Sequence, residues 1–210
     1  MSNKEHWENV YKTKSSDSVS WFQSHSEKSI KIICELEADL SAKIIDVGGG
    51  ASTLVDDLVN IGYSNLSVLD VSGSALAISK HRLGNHSKNI KWIESDVTQL
   101  KIPKHSIDVW HDRAVFHFLT DANKRKKYVD AVISAIKPGG HLIISTFSLE
   151  GPEEGSGLTV QRYNKESLDN EFSSSFQLLD YENENHMTPF STQQKFIYCY
   201  WKANMQTEAT

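Results

Sequence analysis

The spacing of hydrophobic positions changes along the chain. Between residues 3 and 13, Trp7, Val10 and Tyr11 recur at i, i+3 and i+4, which predicts a short amphipathic helix. The polar run "SSDS" (15–18) ends it. Ser24 or Ser26 can cap a second helix reaching about Asp39, with Ile30, Ile33, Cys34 and Leu36 or Leu40 on its buried face.

Short apolar runs and amphipathic stretches then alternate. "KIIDV" (43–47), "LSVLDV" (66–71), "IKWIES" (90–95), "SIDVWHD" (106–112) and "HLIISTF" (141–147) read as strands. Helical patterns occupy 52–61, "SALAISKHRL" and 121–136, the last ended by "KPGG". Such a βαβα order implies a parallel, doubly wound sheet covered on both faces. Past a short helix at 164–172, "FQLLDYENE" and "QKFIYCYWK" have no helix between them, so they pair antiparallel. The stretch from Ser148 to Arg162 lacks periodicity, and a loop that long inside a compact domain tends to serve function.

Composition narrows the partners. The 210 residues suit one domain, and 39% hydrophobic with 23% charged residues is ordinary for a soluble globular protein. A net charge of −5 offers no general attraction to nucleic acid or anionic membranes. The basic run "NKRKK" (123–127) reads as a solvated helix face. Cys34 and Cys199 stand far apart without metal-ligand spacing, so free thiols and no metal site are expected. The polar start carries no secretory signal, and no apolar run approaches the ~18 residues that span a membrane. A soluble cytoplasmic protein is expected.

The chemistry gathers at the strand ends. In "DVGGGAS", Gly48 and Gly50 satisfy the first two positions of a dinucleotide glycine fingerprint, but Thr53 occupies the third. Asp46, before those glycines, suits a cationic ligand group and would repel a pyrophosphate. Asp70 ends the second strand, where a carboxylate accepts from ribose hydroxyls. Asp96 ends the third, where one accepts from an exocyclic amine such as that of adenine. Three acidic strand ends around one glycine loop suit a nucleoside that lacks phosphates and carries positive charge.

These motifs, in this order, resemble those of the class I S-adenosylmethionine (SAM) dependent methyltransferases over nearly the whole chain. "IIDVGGGAS" is similar to their first motif, with Ser52 where a glycine is common. "VLDVS" is similar to the ribose-binding motif, "ESDVTQL" to the adenine-binding one, and "IDVWHDRAVFHFL" and "IKPGGHLIIST" to later ones. The resemblance implies a Rossmann-like α/β sheet of order 3-2-1-4-5-7-6 with strand 7 antiparallel. It implies a single domain: an N-terminal helical lid (1–40), a SAM-binding core (41–147), an active-site loop (148–163) and a helix with the closing strand pair (164–204).

By the same resemblance, Asp46, Gly48, Gly50, Ser52, Asp70, Val71, Asp96, Val97 and Asp112 hold the cofactor, which leaves as S-adenosylhomocysteine. Trp7, Tyr11 and Trp21 either pack the N-terminal helices or form a lid whose aromatic faces favour a sulfonium, with "SWF" (20–22) the better placed. Methyl transfer is an in-line displacement, so alignment in a dry pocket matters most and a base serves only a protonated acceptor. His117, His111 and Asp112 are the catalytic candidates. Arg113, Arg162 and His186 are the acceptor-binding ones, with Arg113 also able to pair with Asp112. Relatives carry a cysteine in the "GP…SGL" segment where this chain has Gly155, so thiol or metalloid chemistry is not expected there.

No D/N-P-P-Y/F motif marks an adenine or glutamine acceptor, and a small molecule is the expected methyl acceptor. "HWENVYK" and "DRAVF" also resemble a branch that methylates protein lysines, whose comparable segment reads D-K-G-T, so a protein acceptor is the first alternative. A SAM-binding module without catalysis is the second, and an NAD-dependent enzyme a distant further one. The acceptor atom and the oligomeric state are not encoded in any motif.

Overall fold

The computed structural model describes residues 3–205. Its elements are α1 (Asn3–Thr13), α2 (Glu27–Leu36), β1 (Lys43–Val47), α3 (Leu54–Ile61), β2 (Asn65–Asp70), α4 (Gly73–Leu83), β3 (Lys91–Glu94) and β4 (Ile107–Arg113). There follow α5 (Ala122–Ala135), β5 (Ile136–Phe147), a small hairpin of β6 (Glu154–Gly155) and β7 (Leu158–Thr159), α6 (Lys165–Phe172), β8 (Phe176–Met187) and β9 (Gln193–Ala203). The main sheet runs β3-β2-β1-β4-β5-β9-β8. Setting the hairpin aside, this is the expected 3-2-1-4-5-7-6 order, and β9 lies antiparallel to both β5 and β8.

Strand alternation divides the core into two layers. Ile44, Val68, Val109 and Ile143 face α2, α3 and α4, packing on Ile32, Ile33, Leu54, Leu58 and Leu76. Ile45, Leu69, Trp110 and Ile144 face α5 and α6, packing on Tyr128, Val132, Leu168 and Phe172. Continuing the same alternation places Asp46 and His111 on the α2 side and Asp112 on the α5 side.

Two local expectations shift. α2 ends at Leu36 and buries Ser29, Ile32 and Ile33, while Cys34 and Leu40 are exposed. The phase follows the pairing of Ile32 with Ile33 against the sheet, which a Cys34-centred face does not satisfy. Ser26 holds the N-cap position without a side-chain cap bond. At "KPGG", the helix has already closed at Ala135 and the segment belongs to β5. Gly139 takes a left-handed φ of 77°, and β5 pairs with β4 through a register shift between Ile107 and Val109. The extra residues are absorbed as a bulge, not as a loop.

The 148–163 segment is tied down at its base. Ser148 bridges Tyr163, and Tyr163 N–H donates to Phe147 O at 3.1 Å. No helix among the described residues is long and apolar enough to cross a membrane.

Candidate functional site

The carboxyl ends of β1 to β4 open into two adjoining compartments. The larger encloses about 1040 Å³, including its open mouth, and runs from Asp70, Val71, Asp96 and Val97 to His117, Phe147 and Phe196. The smaller, about 550 Å³, lies over Asp46, Gly48, Gly49, Ser52 and His111. Tyr11, Trp21, Gly48 and Arg113 line both.

The glycine turn sets the floor. Gly48 has φ of 72°, and a Cβ there would sit 2.0 Å from Val115 Cγ2. Only glycine combines that left-handed backbone with such close approach. At Gly50 a Cβ would meet Asp70 Oδ2 at 2.4 Å, because Gly50 N–H donates to that oxygen at 3.1 Å. Ser72 N–H donates to Asp70 Oδ1 at 2.8 Å. Burial nevertheless dominates, and pushes the Asp70 carboxyl up to about 6. Asp96 caps the short turn at Val97–Gln99 through Oδ1, which accepts from Thr98 N–H and Oγ1 at 2.8 Å each.

The roof is aromatic. Trp7 meets Trp21 at 5.6 Å and Phe118 at 5.2 Å, both edge to face, and Tyr11 meets Trp21 at 6.3 Å. Glu8 clips α1 to the start of α4: its carboxylate accepts from Ser74 Oγ at 2.6 Å, and from Ser74 N–H and Ser72 Oγ at 3.2 Å. Those donors hold the Glu8 carboxyl down to about 2.

Residues 44–140 match the profile of a family described as "Methyltransferase domain". The chain is 25% identical to human EEF1A lysine methyltransferase 2 over 194 residues, covering 86% of this chain and 76% of that one. Among solved structures it is similar to a SAM-dependent methyltransferase of Methanosarcina mazei, with a TM-score of 0.71 at 14% identity, over 83% of this chain and 98% of that chain. It is also similar to the 1,6-didemethyltoxoflavin-N1-methyltransferase of Burkholderia thailandensis, with a TM-score of 0.74 at 14% identity, over 96% of this chain and 87% of that chain. The latter structure holds 1,6-didemethyltoxoflavin and S-adenosylhomocysteine.

The chain carries a methyltransferase domain of the class I SAM-dependent kind.

The residues present fit the family's cofactor. Asp46 Oδ2 is buried without a hydrogen-bond partner beside the smaller compartment, as a site for an ammonium requires. Asp70 and Asp96 stand at the larger compartment, where a nucleoside would present its hydroxyls and amine. Among the described residues no cluster of His, Cys, Asp and Glu could hold a metal ion.

Tyr11, Trp21, Gly48, Asp46, Ser52, Asp70, Val71, Asp96, Val97, Arg113 and His117 all reach one or both compartments of this methyltransferase cleft. Other expected site residues lie elsewhere. Asp112, expected at the methionine end, is fully buried on the α5 side of the sheet. Its Oδ2 accepts from Tyr128 OH at 2.5 Å, and its Oδ1 from Val115 N–H at 2.9 Å, so it braces the turn after β4. Burial pushes its carboxyl up to about 6. Gly50 lines neither compartment and acts through Asp70.

Arg162, expected in the acceptor pocket, donates to Leu149 O and Gly151 O and pairs with Glu153, pinning the loop base. His186, expected there too, donates Nε2–H to Ser20 O at 2.8 Å and anchors the segment that carries Trp21. His111 lines the smaller compartment, but both of its nitrogens are engaged, by Asp46 and Ser29. Arg113 pairs with Glu184 at 3.3 Å, not with Asp112, and donates to Trp21 O.

Phe147 and Phe196 were not among the expected site residues. They are register partners across β5 and β9, with ring centroids 4.7 Å apart. Gln194, two residues before Phe196 on β9, also reaches the cleft.

Proposed function

We propose that this chain is an enzyme that methylates a small-molecule acceptor, with SAM as the methyl donor. When bound, SAM supplies an electrophilic methyl group on a sulfonium. Asp70 accepts from the ribose hydroxyls, Asp96 and the Val97 backbone contact the adenine, and Asp46 Oδ2 takes the ammonium. Gly48 lets the backbone approach the ligand. Tyr11 and Trp21 line both compartments, where aromatic rings favour a sulfonium and exclude water.

The observation that carries the small-molecule reading is the roof. Trp7 from α1, clipped by Glu8, and Trp21 from the 20–22 segment close over the cleft, Trp7 meeting Phe118 of the turn after β4. The acceptor then sits in a chamber walled by Phe118, Phe147, Phe196 and His117, dry enough to align an in-line displacement.

One finding favours a second reading. The similarity to human EEF1A lysine methyltransferase 2 spans most of both chains and makes a protein lysine the alternative acceptor. Labelled-methyl transfer separates the two. Incubation with SAM and either a protein-free metabolite extract or a dialysed protein extract should label the metabolite fraction. Label confined to protein, released as methylated lysine on hydrolysis, would replace the proposal with the alternative.

A further inference from the structure

The acceptor end of the cleft holds a histidine whose proton position is set by the backbone. His117 Nδ1 accepts the N–H of Phe147 at 3.2 Å. A ring nitrogen that accepts carries no proton, so the neutral ring bears its hydrogen on Nε2. That nitrogen is buried without a hydrogen-bond partner, on a residue that lines the cleft. His117 itself is 1% exposed.

From this geometry we infer that His117 is a hydrogen-bond donor that selects acceptors bearing a carboxylate or carbonyl oxygen, and is not the base of the reaction. The inference rests on the methyl-transfer reading and specifies its acceptor. A base needs its lone pair at the cleft, and the lone pair of His117 points at the Phe147 amide. Protonating Nδ1 as well would set two donors against each other.

The surroundings act in the same direction. Phe118 meets the ring edge to face at 4.5 Å and Phe147 lies tilted against it at 4.6 Å, and the charged group that bears on it is the Arg113 guanidinium. Burial, then that cation, pushes the imidazole down to about 3, so it stays neutral across the physiological range.

A second donor serves the same wall. Arg113 Nε is buried without a partner, while its two terminal nitrogens are occupied by Trp21 O and Glu184. The guanidinium carbon lies 4.5 Å from the Phe196 centroid, Phe196 is 4.7 Å from Phe147, and Phe147 is 4.6 Å from His117. Two unmet N–H donors thus flank one pair of aromatic rings. The carboxylates lining the larger compartment, Asp70 and Asp96, stand at the nucleoside end. A flat molecule with an oxygen lone pair satisfies this wall, whereas an ammonium would face a guanidinium and a donor.

Nitrogen-15 NMR of the ring, on protein saturated with S-adenosylhomocysteine, tests the inference without turnover. The expected spectrum shows His117 with a proton on Nε2, none on Nδ1, and no titration between about pH 5 and 8. Benzoate should shift the Nε2–H signal, and benzylamine at equal concentration should not. Benzoate affinity, read by calorimetry on the same complex, should fall at least about tenfold in His117→Phe and be partly retained in His117→Gln, which keeps a donor.

A proton on Nδ1, a pKa near neutrality, a shift by benzylamine alone, or a shift by neither probe would overturn the inference. Calorimetric SAM binding to the same wild-type sample keeps the two claims apart. Absent SAM binding strikes the methyl-transfer reading, whereas intact SAM binding with the wrong tautomer or probe response strikes only the role of His117.

Discussion

His111 Nδ1 lies 2.8 Å from Asp46 Oδ1, between register partners on two neighbouring strands. The far nitrogen of the ring meets Ser29 Oγ at 2.9 Å, and Ser29 meets Tyr198 OH at 3.2 Å. With both nitrogens engaged and buried, His111 is placed to orient the Asp46 carboxylate. Its partner keeps one oxygen, Oδ2, buried and without a hydrogen-bond partner, the one proposed for the ligand's ammonium.

His111→Ala should therefore cost on the order of 1–3 kcal/mol of stability and weaken SAM, because Asp46 loses its brace. The pH dependence of kcat should not change. Urea unfolding and a pH–rate profile check this. A kcat loss above about 100-fold with intact SAM affinity would make His111 a base after all.

Asp70 titrates where an experiment can see it. Its carboxyl is raised from an ordinary 3.8 to about 6, chiefly by burial. Ribose hydroxyls bind the ionised form, so SAM affinity should fall as pH drops through about 6, approaching tenfold per unit below it. Asp70→Ala should weaken SAM by ~1–3 kcal/mol at neutral pH. Calorimetry across that range reads both effects, and an unchanged dissociation constant in the variant would remove Asp70 from the ribose site.

Asp112 should matter for folding and not for binding. Asp112→Ala leaves Tyr128 OH and the Val115 and Phe116 amides without their acceptor, a loss on the order of 3 kcal/mol. SAM affinity of the folded variant should stay within a few fold. The pH sign follows from folded carboxyls raised to about 6, above their unfolded value, at both Asp70 and Asp112. Their contribution to stability is full below pH 3.8 and is lost as pH rises through about 6. Asp112→Asn should reduce that pH dependence in urea melts, with the Asp70 share remaining.

Much of this arrangement is legible from residue order. The βαβα rhythm and the helix-free tail carry the sheet order, and the acidic strand ends mark the nucleoside side of the cleft. The period-2 alternation of strands even separates His111 from Asp112: counting from Ile44 and Val109, Asp46 and His111 share one face and Asp112 takes the other. Sequence spacing alone groups "WHDR" as one site and overlooks that split.

Other features depend on long-range pairing. Phe147 meets Phe196 only because β9 returns beside β5, and no local pattern fixes that register. Arg162 and His186 have the chemistry of acceptor ligands, yet loop carbonyls at Leu149, Gly151 and Ser20 claim their donors first. The face of α2 is set by how Ile32 and Ile33 meet the sheet, which Cys34, as a small apolar residue nearby, obscures.

Isothermal titration of the purified protein with SAM, and separately with NAD, tests the central claim most directly. The account predicts saturable SAM binding with a dissociation constant on the order of micromolar and no heat from NAD. Binding of NAD, or failure to bind SAM, would contradict the assignment of Asp46, Asp70 and Asp96 to a methyl-donor nucleoside.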